Sequence, residues 1–157
     1  MHARAKELIE QLKLEPHPEG GYYREIFRSA NLVAPADGRG PRAALTTIYF
    51  MLPAGIVSRW HRVSSDEVWH LYEGGPLEVL SVDPAFSALS RHELDAPSPV
   101  CTVAAAHWQA ARTLGDYALT GCTVGPGFDF ADFAILADDA ASASRLLATW
   151  PELASLI

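Results

Sequence analysis

At 157 residues the chain has the length of one ordinary domain, long enough to bury roughly two-thirds of its unfolded surface without disulfide staples. Apolar residues at 49% and charged residues at 20% make a globular composition, not a disordered one. The net charge of -7 argues against a nucleic-acid partner, because phosphate backbones are bound through Lys and Arg. Cys101 and Cys122 lack the C-x-x-C spacing of zinc and redox sites and are expected to pack as small core hydrophobes.

The first predicted element is a helix over 3–12, where Ala5, Leu8, Ile9 and Leu12 recur at helical spacing and Lys6, Glu7, Glu10 and Gln11 face away. This stretch is amphipathic and unlike the apolar centre of a signal peptide, and no later apolar run is long enough to span a bilayer. A cytoplasmic protein with no membrane partner is therefore expected. Residues 15–21 carry two prolines and two glycines and read as a turn; 22–27 then reads as a strand. Residues 29–42, with Pro35, Gly38, Gly40 and Pro41, have the composition of an exposed loop.

Further strands are predicted at 46–52, 57–62, 67–72, 77–82, 100–103, 108–111, 117–124 and 133–136, bounded by Gly, Pro, Ser and Asp. Helical propensity returns at 140–148, and a second short helix starts near Pro151. Many short strands without helices between them suggest a sandwich or closed barrel in a single domain over 1–157.

The run from Gly55 to Gly74 has a glycine, five residues, His61, one residue, Val63, three residues, Glu67, six residues and a glycine. It resembles the first cupin motif, with Val63 where a second histidine stands. Ala104-Ala105-Ala106-His107-Trp108-Gln109 resembles the second, with alanines at both turn positions and Gln109 in place of the histidine. Together with His17-Pro18-Glu19-Gly20-Gly21-Tyr22-Tyr23-Arg24-Glu25, Glu67-Val68-Trp69-His70 and the segment 124–133, these motifs make the whole chain resemble the DUF985 family, also called Cupin_5. The resemblance implies a mainly β fold, a double-stranded β-helix or cupin jelly-roll barrel with short terminal helices. It further implies a common homodimer and no settled activity.

On regular strands Arg59, His61 and Val63 would share one face, as would Glu67, Trp69 and Leu71 on the next strand. A hairpin through Ser64-Ser65-Asp66 can bring His61 and Glu67 to one inner wall. Metal-dependent cupins hold a divalent transition metal with three imidazoles and one carboxylate; here His61, Glu67 and the weaker amide donor Gln109 are the available ligands, with His107 as a rearranged alternative. No cofactor is firmly implied. Without metal, His61 and Glu67 form an acid–base pair in which the carboxylate favours the protonated ring.

That pair suits an isomerase, epimerase or lyase acting on a sugar-like or carbonyl-bearing small molecule. A metal-dependent enzyme and a non-catalytic binding protein are the competing readings. Expected ligand contacts are Gln109, Trp69 and Tyr49 as apolar or orienting walls, Arg24 and Arg59 as cationic groups, and Asp129 at the mouth. For Tyr22-Tyr23-Arg24-Glu25 a dimer contact is an equal alternative. His70, three residues after Glu67, is expected on the opposite face in a structural hydrogen bond.

Overall fold

Short runs rich in β-branched and aromatic residues, bounded by Gly, Pro, Ser and Asp, fold into antiparallel strands that close on one core. The computed structural model describes residues 1–157. After helix α1 (Ala3–Leu12) come β1 (Glu15–Pro16), β2 (Tyr22–Arg28), β3 (Leu32–Val33), β4 (Arg42–Ala43), β5 (Thr46–Pro53), β6 (Val57–Val63) and β7 (Asp66–Gly74). They are followed by β8 (Leu77–Val82), β9 (Leu89–Leu94), β10 (Val100–Val103), β11 (Trp108–Thr113), β12 (Tyr117–Gly125), β13 (Phe133–Ile135) and helix α2 (Ala140–Thr149). Short 3-10 helices at Phe130–Asp132, Leu136–Asp138 and Pro151–Leu156 complete the chain.

One sheet has the order β1-β2-β5-β12-β7-β10 and the other β13-β6-β11-β8-β9. They face each other as a jelly-roll barrel, and their inner faces meet in Phe50, Leu52, Trp69, Leu77, Val79, Leu94 and Cys122. Both cysteines are free and buried. Helix α1 covers the outer face of the first sheet, packing Ala5 and Leu8 on Met51 and Leu119. The chain reverses at Lys13, whose left-handed backbone (φ 53°) returns its N–H to the carbonyls of Glu10 and Ile9.

Helix α2 and the last 3-10 helix cover the second sheet, setting Leu146, Leu153 and Leu156 on Trp60, Leu80 and Trp108. The Asp139 carboxylate caps α2 by accepting from the Ser142 N–H at 3.0 Å. No helix is long and apolar enough to cross a membrane.

Three strands carry a bulge: Tyr72 is the extra residue of β7, where Leu119 pairs with Glu73 but Thr120 with Leu71, and the bulges in β6 and β2 decide what faces the cavity. In β6, Gln109 pairs with His61 but Ala111 with Ser58, so Arg59 and Trp60 together oppose Ala110. This bulge returns Ser58 to the side of His61 while Trp60 packs outward. In β2, Glu25 pairs with Ile48 and Phe27 with Thr47, which makes Ile26 the extra residue and places Arg28 opposite Thr46.

Four readings of the sequence change, the first being that Glu15–Pro16 of the expected turn pairs with β2 as the strand β1. The loop 29–42 contains the hairpin β3–β4. The edge strand β9 is additional, its polar Ser90-Arg91-His92-Glu93 centre lacking the apolar alternation of an inner strand. His70 does face outward, but its buried Nδ1 has no hydrogen-bond partner; the ring stacks on Tyr72 instead, 6.4 Å between centroids.

Leu146 is fully buried between α2 and the second sheet. Leu146→Ala is expected to lower stability by about 2–5 kcal/mol, measured as a lower urea midpoint with an unchanged slope.

Candidate active site

At one end the barrel opens into a cavity of about 470 Å³ lined by side chains from both sheets and from the turn between β1 and β2. That turn places a carboxyl no strand could supply. Gly20, at φ +111°, lies so close to the Val57 carbonyl that an added Cβ would stand 2.1 Å from its oxygen. The Gly20 N–H donates to the His17 carbonyl at 3.0 Å and the Arg59 N–H to the Glu19 carbonyl at 2.8 Å. The Arg59 guanidinium donates to the Pro18 carbonyl at 2.7 Å, fastening the turn to the bulge in β6.

Glu19 is thereby held 5% exposed on the cavity floor. Its Oε1 accepts from the Ser58 hydroxyl at 2.7 Å, and its Oε2 lies 3.2 Å from His61 Nε2 and 3.4 Å from His17 Nδ1. His61 Nδ1 is 2.7 Å from the Arg59 carbonyl oxygen. A carbonyl only accepts, so Nδ1 carries the proton and Nε2 turns its lone pair to Glu19. His17 Nδ1 accepts from the Glu19 N–H at 3.3 Å.

Burial governs the charges here. It pushes the Glu19 carboxyl up to about 8, against the opposing pull of the Ser58 hydroxyl and the Arg59 charge. It holds His17 down to about 4, a shift His61 reinforces. It also raises Glu67 and lowers His61, outweighing their mutual attraction. The expectation that the carboxylate would favour a protonated His61 is thus corrected: desolvation disfavours the charged ring more strongly than Glu67 supports it.

Of the expected site residues, His61, Glu67 and Asp129 line the cavity. Gln109 is fully buried behind them; its amide nitrogen donates to Glu67 Oε2 at 2.5 Å and its oxygen accepts from Trp69 Nε1 at 3.0 Å. Gln109 therefore orients Glu67 and not the ligand, and Trp69 supports it from the core. Asp129 sits at the mouth, where its carboxylate accepts from the Ala131 N–H at 2.8 Å.

Arg24, Arg59 and Tyr49 lie outside the cavity lining. The bulge in β6 removes Arg59 from the His61 face. Arg24 pairs with Tyr49 across β2 and β5, in the register between the pairs Tyr23–Phe50 and Glu25–Ile48 that do line the cavity. Tyr49 instead packs at the α1 side of the sheet. His107 lies in the turn before β11, its Nδ1 3.3 Å from the Ala105 carbonyl, and it too is outside the lining.

Glu19 and His17 are the functional candidates that strand periodicity missed, since both stand in a turn. The available signal was two titratable residues within a Pro- and Gly-locked segment.

The expected metal set does not fit. Gln109 commits its oxygen to Trp69 and its nitrogen to Glu67, and Val63 has no donor atom. No three His, Cys, Asp or Glu side chains gather in an arrangement able to hold a metal ion.

The sequence model of the family described as Cupin_5, Cupin superfamily (DUF985), matches residues 6–136. A hypothetical protein from Leishmania major is 32% identical, with a TM-score of 0.83 over 98% of this chain and 96% of that one. A protein from Shewanella oneidensis is also 32% identical, with a TM-score of 0.78 over 97% and 93%. A Bacillus subtilis oxalate decarboxylase shares the fold at 16% identity, with a TM-score of 0.60 over 90% of this chain and 37% of its own. No protein of curated function matches the sequence.

Two measurements test the floor. Gly20→Ala is expected to cost about 1–3 kcal/mol or more, because the strained φ and the contact with Val57 must both be relieved; a change under about 0.5 kcal/mol in urea unfolding would contradict this.

The second follows the protons. Folded Glu19 keeps its proton up to about 8 while the unfolded chain releases it near 4.5, so stability falls as pH rises through that window. His17 acts oppositely between about 4 and 6.5, which leaves the Glu19 effect without that counterweight from 6.5 to 8. Glu19→Gln is expected to flatten the decline in urea midpoint between pH 6.5 and 8.

Proposed function

Because the chain belongs to the Cupin_5 (DUF985) family of the cupin superfamily, we propose that it is a small-molecule enzyme of the isomerase or epimerase kind. It moves a proton at a carbon beside a carbonyl, without a metal. The observation that carries this reading is His61 Nε2 facing Glu19 Oε2 at 3.2 Å on the floor of an otherwise mostly apolar cavity. One proton lies between the two groups: burial strengthens the Glu19 carboxyl's hold on it and weakens that of His61, so Glu19 carries it and His61 Nε2 offers the lone pair.

In the forward step the substrate C–H bond breaks and its proton passes to the Glu19–His61 pair. The electron pair moves into the carbonyl, giving an enolate oxygen. Glu67, whose hold on its proton burial strengthens and whose carboxyl Gln109 aligns, donates that proton to the oxygen. Return of a proton from the pair to the same carbon, with the enol proton going back to Glu67, completes an epimerisation; where that carbon bears a hydroxyl, return to the former carbonyl carbon with Glu67 taking that hydroxyl's proton completes an isomerisation. No outside oxidant or reductant is needed.

The unpaired edge of β2 beyond Tyr23, with Ile26 and Phe27 exposed, supports a homodimer as the working form.

The test is deuterium uptake from D₂O into the α-positions of a panel of aldehydes, ketones and sugars, followed by NMR. Wild-type protein is expected to label at least one compound. His61→Asn and Glu19→Gln should each lower the rate about 10²–10⁴-fold. Labelling that disappears on chelation and returns with a divalent metal would overturn the metal-free mechanism, and variants as active as wild type would overturn the assignment of the pair.

A further inference from the structure

The walls above the proton-transfer floor bear on what can enter. Phe128, Phe130 and Phe133 form the mouth, each ring edge-on to the next at 5.0–6.0 Å between centroids. His17 continues this lining, edge-on to Tyr23 at 4.6 Å and to Phe133 at 5.8 Å. Deeper in, Ile48 and Phe50 line the same side.

Several polar atoms along these walls are already engaged. Arg28 donates Nε–H and Nη2–H to Glu25 at 2.9 and 2.7 Å and Nη1–H to the Phe128 carbonyl at 3.0 Å. Thr46 Oγ1 accepts from the Phe128 N–H at 2.9 Å, and Asp129 accepts from the Ala131 N–H at 2.8 Å. The turn bearing Phe130 is tied down in addition by Asp132, which accepts two hydrogen bonds from Arg42, both at 2.8 Å. The ring of aromatic side chains is therefore built before any ligand arrives.

We infer that the substrate is a flat, largely apolar carbonyl compound carrying an unsaturated ring, and not a polyhydroxylated sugar; the inference rests on the proton-transfer reading of the floor and narrows its substrate. A sugar carries a hydroxyl on almost every carbon. Hydroxyls set against the Phe128, Phe130, Phe133, Ile48 and Phe50 side chains would lose water without gaining a partner, at roughly tenfold in affinity for each. A flat ring gains contact from the faces and edges of the surrounding aromatics and loses no hydrogen bond. One carbonyl suffices for the floor, where Glu19, His61 and Glu67 are the polar groups that converge.

The experiment titrates the full-length protein with 2-indanone and, separately, with D-xylulose, following ligand NMR signals, and then repeats both with Phe130→Ala. Phe130 is half exposed, so its removal leaves the core intact. The expected result is binding of 2-indanone at least about tenfold tighter than D-xylulose, weakened about fivefold by Phe130→Ala. Equal or tighter binding of D-xylulose overturns the inference. So does an unchanged 2-indanone affinity in the variant, or no saturation by either compound below about 10 mM.

Deuterium uptake into bound 2-indanone, above the buffer rate, reads the floor separately. Tight binding without uptake supports the inference and counts against the proton-transfer reading. Uptake into D-xylulose with tight binding of that sugar supports that reading and overturns the inference.

Discussion

The site depends on one carboxyl held out of water. Glu19 lies outside the strands of both sheets, yet its carboxyl oxygens meet Ser58, His61 and His17, and each of these lies where it does for a separate reason. Ser58 reaches Glu19 because β6 has an extra residue. His61 points its lone pair inward because its other nitrogen is committed to a backbone carbonyl. His17 is fixed by the turn it shares with Glu19. Burying such a group costs solvation that the neighbours return only in part, and the carboxyl responds by keeping its proton.

Around this point the barrel works as a frame. The helices at the two ends of the chain are laid on opposite outer faces, so each sheet has a covered side and can turn its other side to the shared interior. The interior is filled by Trp69, Phe50 and Leu77 at depth and left open toward the segment 128–133. The hydrogen-bonded line from Trp69 through Gln109 to Glu67 joins the packed part to the open part, so the orientation of Glu67 is set by the core and not by solvent.

Most strands were legible because short runs rich in β-branched and aromatic residues, as in 46–52 and 77–82, are bounded by turn residues; both faces of these inner strands are largely buried, so they run nearly continuously apolar. β9 was not, since Ser90, Arg91, His92 and Glu93 sit on an edge strand where solvent tolerates polar residues on both sides. His61 and Glu67 could be read as facing the cavity from spacing alone. Arg59 and Arg24 could not be placed, because a single inserted residue reverses the parity of a strand and leaves no mark in composition. Gln109 was recognisable as the place of a histidine in a related motif, but its partners come from strands distant in sequence. Glu19 was hidden for the opposite reason: turns obey no period.

The clamp on Asp132 has a consequence for how such a protein can change. Arg39, in the loop of the β3–β4 hairpin, and Arg42, in its second strand, hold the turn bearing Phe130, while the residues that handle protons belong to β6, β7 and the turn before β2. Entrance and chemistry thus sit largely on separate stretches of chain, with His17 as the residue that touches both. A lineage can accumulate substitutions, insertions or deletions in the hairpin and the aromatic segment, reshaping what is admitted, while the reacting groups stay under unaltered selection. Descendants would diversify in diet before they diversified in reaction.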